Sequence, residues 1–356
     1  MSKKIAVVTF QLGGPDSVEA VEPFLNNLFL DPDIIDFPGA FLARKFLAKT
    51  IASRRSKPVG EHYLEIGGKS PINELTDRQV RALERLLRTR NIDARVFVAM
   101  RYWHPMTDEV VKAVKKGGYD RLILLPLYPQ FSKATTYSSL NEWRRQSLRL
   151  GLEIPHNLIC CYPNHHLYIE ALVQNIHVSF ERFRGARQEE VDLLFSAHGV
   201  PVDFIRRGDP YKLQVEETVR QVLRQGNWKS PALLCYQSKV GPSRWLEPSL
   251  HQSIRSLAAK GRKHLLVVPI AFVTEHIETL HEINIEAREE AVHLGVRQFE
   301  MMPALNDHPK FIECLADLVE LRLASNSQEY SKCRVFYEGQ EKKDEPRLCP
   351  WYHLSS

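Results

Sequence analysis

Glu275, Glu278, Glu282 and Glu286 recur at spacings of three and four, with His276 among them, just after the apolar run Leu265–Phe272. On an α-helix that spacing sets the carboxylates along one face. Like charges so aligned repel, and those screened from water should hold their protons more tightly. Such a file could pass protons or hydrated metal ions. The other side of the same helix would carry Ile277, Leu280, Ile283, Asn284, Ala287 and Ala291. That is the pattern of an ordinary solvated amphipathic helix, and periodicity by itself favours it. A π-bulge would change the register and weaken that objection. His198, in Phe195-Ser196-Ala197-His198-Gly199, is the other chemical candidate. An imidazole there could accept a proton at neutral pH. It could equally be hydrogen-bonded for structure, and position alone favours the structural role.

Other apolar runs end in the same manner, at Gly13/Gly14, Arg101/Tyr102, Tyr128/Gln130 and Gln237/Lys239. In α/β sheets ligands bind at the carboxyl ends of the strands. Aromatic and polar groups gathered there suit a flat apolar ligand with polar edges. No full GxGxxG, P-loop or GxSxG motif occurs, so nucleotide, dinucleotide and simple hydrolase readings lack their signatures.

The elements that must position these groups alternate strand and helix. Strands are predicted at 5–10, 95–100, 121–127 and 157–162, then at 191–195, 232–236, 265–272 and 298–302. Helices are predicted between them, among them 18–28, 75–90, 165–183 and 310–324. The alternation predicts an α/β protein with two doubly wound parallel sheets of about four strands, joined near residues 160–167. Residues 37–60 contain no acid and six basic residues, with Phe41, Leu42, Phe46, Leu47 and Ile51 interleaved. That segment could rest on an anionic bilayer or pack as an ordinary helix. The tail, 326–356, is polar and mixed.

The chain has 356 residues, 44% hydrophobic and 26% charged, with a net charge of +5. This is a globular composition, and no basic block reads as a nucleic-acid arm. Six cysteines without a CxxC pair, three of them in apolar runs, suit small hydrophobes in a reducing compartment. With no signal peptide and no apolar stretch of about 20 residues, a cytoplasmic protein is expected, with the 37–57 segment as the candidate for peripheral contact with the inner face of a membrane.

The motifs together resemble the ferrochelatase family, which inserts Fe²⁺ into porphyrins. They are LGGPDS at 12–17, Tyr63 with GGKSPI at 67–72, RYWHP at 101–105 and YPQFSKATTYSSLNEW at 128–143. The second half adds LFSAHGVP at 194–201, RRGDPY at 206–211, YQSKVGPSRWL at 236–246, VPIAFVTEHIETLHEINIE at 268–286 and NDHPKF at 306–311. The resemblance implies two Rossmann-like, chelatase-like domains, 1–163 and 164–305, with a porphyrin cleft between them and a helix at 306–325 packing back. It implies His198 and Glu278 as catalytic partners across the ring. It implies Glu275, His276, Glu282 and Glu286 as an acidic metal path on a π-distorted helix. It also implies porphyrin-binding positions at Leu12, Tyr63, Ser70, Arg101, Tyr102, Tyr128, Gln237, Lys239 and Trp245, with 37–57 as the lip over the cleft.

The expected activity is insertion of iron into protoporphyrin IX, a lyase reaction closing haem synthesis. Rivals are a coproporphyrin III or other-metal chelatase and a non-catalytic porphyrin carrier; the assembly would be a monomer or homodimer. No cofactor beyond the Fe²⁺ substrate is implied. Some relatives bind a [2Fe–2S] cluster through one mid-chain and three tail cysteines. Here the mid-chain position is Lys133, and the tail offers only Cys333 and Cys349. An ammonium has no lone pair to replace a thiolate. The purified protein is therefore expected to lack iron–sulfur absorbance and acid-labile sulfide; finding either would overturn this reading of Lys133.

Overall fold

Short β-branched runs bounded by glycine and proline turns become strands, and all of them pair in parallel. The structure, a computed structural model, describes residues 3–34, 40–239, 241 and 243–324. One sheet holds β1 (Ile5–Gln11), β2 (Ala94–Met100), β3 (Arg121–Pro126) and β4 (His156–Leu158), in the order β2-β1-β3-β4. The other holds β5 (Val191–His198), β6 (Ala232–Gln237), β7 (His264–Pro269) and β8 (Gln298–Met301), in the order β6-β5-β7-β8. The strand order reverses beside β1 and β3 and again beside β5 and β7. Such reversal points open a crevice at the carboxyl ends of the strands. His198 ends β5, and the Thr274–Glu286 stretch follows β7 after the connecting residues 270–273.

Several boundaries differ from the sequence reading. β7 stops at Pro269, although the next N–H, of Ile270, still donates to the Ser196 carbonyl at 2.9 Å. β4 stops at Leu158, so Cys160 and Cys161 lie beyond the sheet rather than within a strand. The first helix starts at Val21, and the helix predicted from 75 starts at Ile72. From residue 40 the basic segment is part of one long helix, Ala40–Glu65, with Pro58 inside it. Residues 37–39, Val240, Pro242 and the tail lie outside the described residues.

The two halves share one core. Val7, Leu83 and Ile123 from the first sheet and its helices join Leu172, Phe195, Val268 and Leu315 in a continuous buried cluster. Helix Pro309–Ala324 packs on both Ile72–Thr89 and His166–Phe180. Buried amides stitch the seam. Gln79 Nε2 donates to the carbonyls of Val273 (3.2 Å) and Asn306 (2.8 Å). Gln130 Nε2 donates to Thr218 Oγ1 (3.0 Å), and the Phe131 N–H donates to Gln214 Oε1 (2.7 Å). Burying these groups unpaired would cost stability, so the pairs fix how the halves meet. A shared core predicts joint unfolding. Urea denaturation followed by tryptophan fluorescence and by far-ultraviolet dichroism should give coincident transitions; two separated transitions would contradict it.

Candidate active site

Glu278 stands between two imidazoles. His198 Nε2 lies 3.5 Å from Glu278 Oε1, and His276 Nε2 lies 3.1 Å from Oε2. Each ring is fixed from behind. His198 Nδ1 donates to the Gly199 carbonyl, and His276 Nδ1 donates to the Thr274 carbonyl at 3.0 Å. A carbonyl only accepts, so both Nδ1 atoms carry hydrogen and both Nε2 atoms are turned to the carboxylate. Tyr211 OH donates to the His198 carbonyl at 3.0 Å. Gly199 allows the approach: a Cβ there would meet the Gln237 carbonyl at 2.9 Å and the Trp245 ring at 3.1 Å. The His198 side chain is 32% exposed, so one face stays open to the cleft. Phe272 and Trp245 flank it, each with its ring centroid 6.3 Å away.

Burial opposes the His198 charge, but facing Glu278 outweighs burial and raises the imidazole to about 9. Burial alone would raise Glu278; His198 and His276 outweigh it and hold the carboxyl well below its usual range. The ion pair is thus present at neutral pH. The stabilisation from raising His198 is complete below about 6.5. It is lost as pH climbs through about 9.

The file continues outward from Glu278. The short helix Ile277–Leu280 gives way to a π-turn, Glu282–Ala287, in which the Glu286 N–H donates to the His281 carbonyl at 3.0 Å. This five-residue closure shifts the register from the ideal helical face. Glu282 turns inward and accepts from Ser238 Oγ and from Gln237 Nε2 (3.3 Å). Ser238 reaches it from a left-handed backbone position, φ 65°, which a non-glycine residue rarely adopts. Burial, then the Glu278 charge, raises Glu282 to about 7. Glu286 is exposed at the outer end. There His281 Nδ1 faces Glu286 Oε1 at 3.7 Å without a hydrogen bond, while its Nε2 pairs with Glu65 Oε2 at 3.0 Å. His62 stacks on His281 with centroids 4.0 Å apart. Donor atoms of His62, His281 and Glu286 lie within 4.8 Å of one another, a spacing that could hold a divalent ion.

Glu275 stands apart from the file. Its carboxylate accepts from the Ala304 N–H at 2.8 Å and from Thr279 Oγ1. Gln237 is also spent internally: Oε1 accepts from Ser196 Oγ (2.8 Å) and Nε2 donates to the Glu278 carbonyl (2.7 Å). Arg101 and Tyr102 converge on buried Asp31, at 2.9 Å from Arg101 Nη2 and 2.8 Å from Tyr102 OH, with Ser138 donating to the same carboxylate. Tyr128 is buried with its hydroxyl 3.3 Å from Ser139 Oγ. Ser70 is buried beneath Gly14. Tyr63 is buried, and burial followed by the Glu278 charge pushes its phenol up, so it stays neutral. Leu12 and Trp245 are half-buried and Lys239 is exposed.

The sequence that builds this arrangement matches one family model over nearly the whole chain. The family model described as ferrochelatase covers residues 4–323. The chain belongs to the ferrochelatase family. It is 47% identical over 320 residues to the ferrochelatase of Citrifermentans bemidjiense, covering 90% of this chain and 99% of that one. It is 48% identical over 319 residues to the ferrochelatase of Geobacter metallireducens, covering 90% and 98%. Among solved structures, SirB from Bacillus subtilis with Fe³⁺ shares the fold at a TM-score of 0.53 and 13% identity, covering 92% of this chain and 99% of that one.

As a ferrochelatase-family chain it is a metal-chelating enzyme with Fe²⁺ as substrate. At the mid-chain position where some relatives carry a cysteine, Lys133 opens a π-turn and holds its ammonium 5.6 Å over the Phe204 ring. Cys314 is buried in the core, where burial pushes its thiol up. Asp31, His62, Glu65 and His281 were missed from sequence. His281 and Glu286 are five apart, a spacing that faces together only in a π-turn. Replacing Glu278 by glutamine should lower the His198 pKa from about 9, because the largest opposition to burial is then removed while Glu282 and the Gly199 carbonyl still favour the charged ring. Histidine NMR titration reads it; an unchanged pKa would contradict the pairing.

Proposed function

We propose that this chain inserts Fe²⁺ into protoporphyrin IX. The observation that carries the reading is Glu278 held between His198 and His276 at the inner end of a carboxylate file. Hydrated iron meets the outer group of His62, His281 and Glu286, exchanges waters past Glu282 and reaches Glu278. Imidazole and carboxylate suit such transient, open coordination of a borderline ion.

Iron on Glu278 cancels the charge that holds the His198 proton. The imidazole then loses that proton and faces the ring as a neutral base. The porphyrin gives up two N–H protons as iron enters with its charge unchanged. His198 Nε2 takes them in turn, and Glu282, raised to about 7, is matched to carry them outward. Closing the crevice on a bent ring uses binding energy to offset the distortion.

Leu12, Tyr63, Lys239 and Trp245 are assigned to the ring. Arg101, Tyr102, Tyr128, Ser70 and Gln237, which are engaged within the protein, are assigned to holding that wall. Glu275 is assigned to fixing the loop before His276. Helix Ala40–Glu65 buries Ala48 and Ala52 against Val21–Phe29. It turns Phe46 (75% exposed), Lys45, Lys49, Arg54 and Arg55 outward. An apolar, cationic surface at the lip suits peripheral contact with an anionic bilayer, where a lipophilic protoporphyrin resides. Among the described residues no helix is long and apolar enough to cross a membrane.

Anaerobic Fe²⁺ insertion should be measured with protoporphyrin IX and coproporphyrin III side by side. The wild type should favour protoporphyrin, and His198→Ala should lose about 10²–10⁴-fold in rate. Faster turnover of coproporphyrin would overturn the substrate assignment, and full activity of the variant would overturn the role of His198.

A further inference from the structure

Cys160 and Cys161 are adjacent in sequence, and their Sγ atoms lie 3.7 Å apart just past the end of β4, where the chain passes from one half to the other. Cys160 is buried and Cys161 is half-buried, so Cys161 is the more accessible of the two. They pack with Phe131 and Tyr137. Cys161 Sγ accepts from Gln214 Nε2 at 3.5 Å. The same buried Gln214 accepts the Phe131 N–H at 2.7 Å, one of the bonds that join the halves. Gln214 lies in the first turn of helix Tyr211–Gly226, whose first residue holds the His198 carbonyl.

We propose that Cys160 and Cys161 form a redox modification site, a vicinal dithiol that small-molecule disulfides oxidise to a vicinal disulfide. The half-buried Cys161 thiolate attacks the small disulfide, forming a mixed disulfide and releasing one thiol. The Cys160 thiolate then attacks the Cys161 sulfur, closing the Cys160–Cys161 bond and releasing the second thiol. The protein loses two electrons and two thiol protons, and the small disulfide gains them. Adjacent Cα atoms stand about 3.8 Å apart across a trans peptide, short of the usual disulfide span of about 4.4–6.8 Å. A bond made at that spacing is readily reduced, the property of labile and regulatory disulfides. Closing it draws Cys161 away from Gln214 and disturbs the seam that leads to His198.

The full-length protein should be equilibrated with mixtures of oxidised and reduced glutathione, alkylated, and cut with trypsin. The 150–182 fragment holds both cysteines and no other. It should be lighter by two hydrogens and unalkylated under oxidising conditions, and dithiothreitol should restore both thiols. Over the same range the KM for porphyrin should rise reversibly. Cys161→Ser should abolish both responses, while Cys160→Ser should stop at a glutathione adduct on Cys161. Two alkylated cysteines under every mixture, an adduct in wild type that never resolves, or a KM response that persists in Cys161→Ser would each overturn the proposal. The fragment mass is read without turnover, so its outcome is independent of the assigned porphyrin.

Discussion

A carboxylate largely withdrawn from water needs a partner, and this structure sets half-buried Glu278 between two imidazoles. Removing one partner of such a pair leaves the remaining charge poorly solvated. The surroundings of Glu278 follow from that constraint. His198 and His276 can serve it only if their Nδ1 atoms are tied elsewhere, and two backbone carbonyls tie them. The carbonyl behind His198 is in place because Gly199 has no side chain to fend off Trp245 and Gln237. Fold, caps and close approaches all converge on a charge that the crevice keeps ready for a cation.

The file beyond Glu278 is graded rather than uniform. Glu278 is held ionised, Glu282 is raised to about 7, and Glu286 is solvated. Like charges in line cannot all ionise at equal ease. The member best placed to exchange protons at neutral pH is therefore the middle one. That ordering suits a path in which a cation moves inward as protons move outward.

The sheets were legible from sequence because buried parallel strands are short β-branched runs and their turns are marked by glycine and proline. β5 and β7 follow that rule; His198 ends β5, and Glu278 lies on the short helix Ile277–Leu280 beyond β7. The helical wheel after β7 misled. Ideal periodicity set Glu275 with Glu278, yet Glu275 turns to the Ala304 N–H and the π-turn brings His281 toward Glu286. A wide turn leaves no periodic signal, since its extra residue is invisible to a fixed step. Asp31 was also hidden: it reads as a loop acid, and only the fold carries Arg101, Tyr102 and Ser138 to it. Polar residues on separate elements become partners through topology, which spacing along the chain does not encode.

The central claim is that iron on Glu278 frees the His198 proton. Proton release on anaerobic Fe²⁺ binding, without porphyrin, tests it most directly. At pH 8 Glu282, near 7, is largely ionised and His198, near 9, is largely protonated. Wild type should release roughly one proton more per iron than His198→Ala. Equal release from the two proteins would contradict the account.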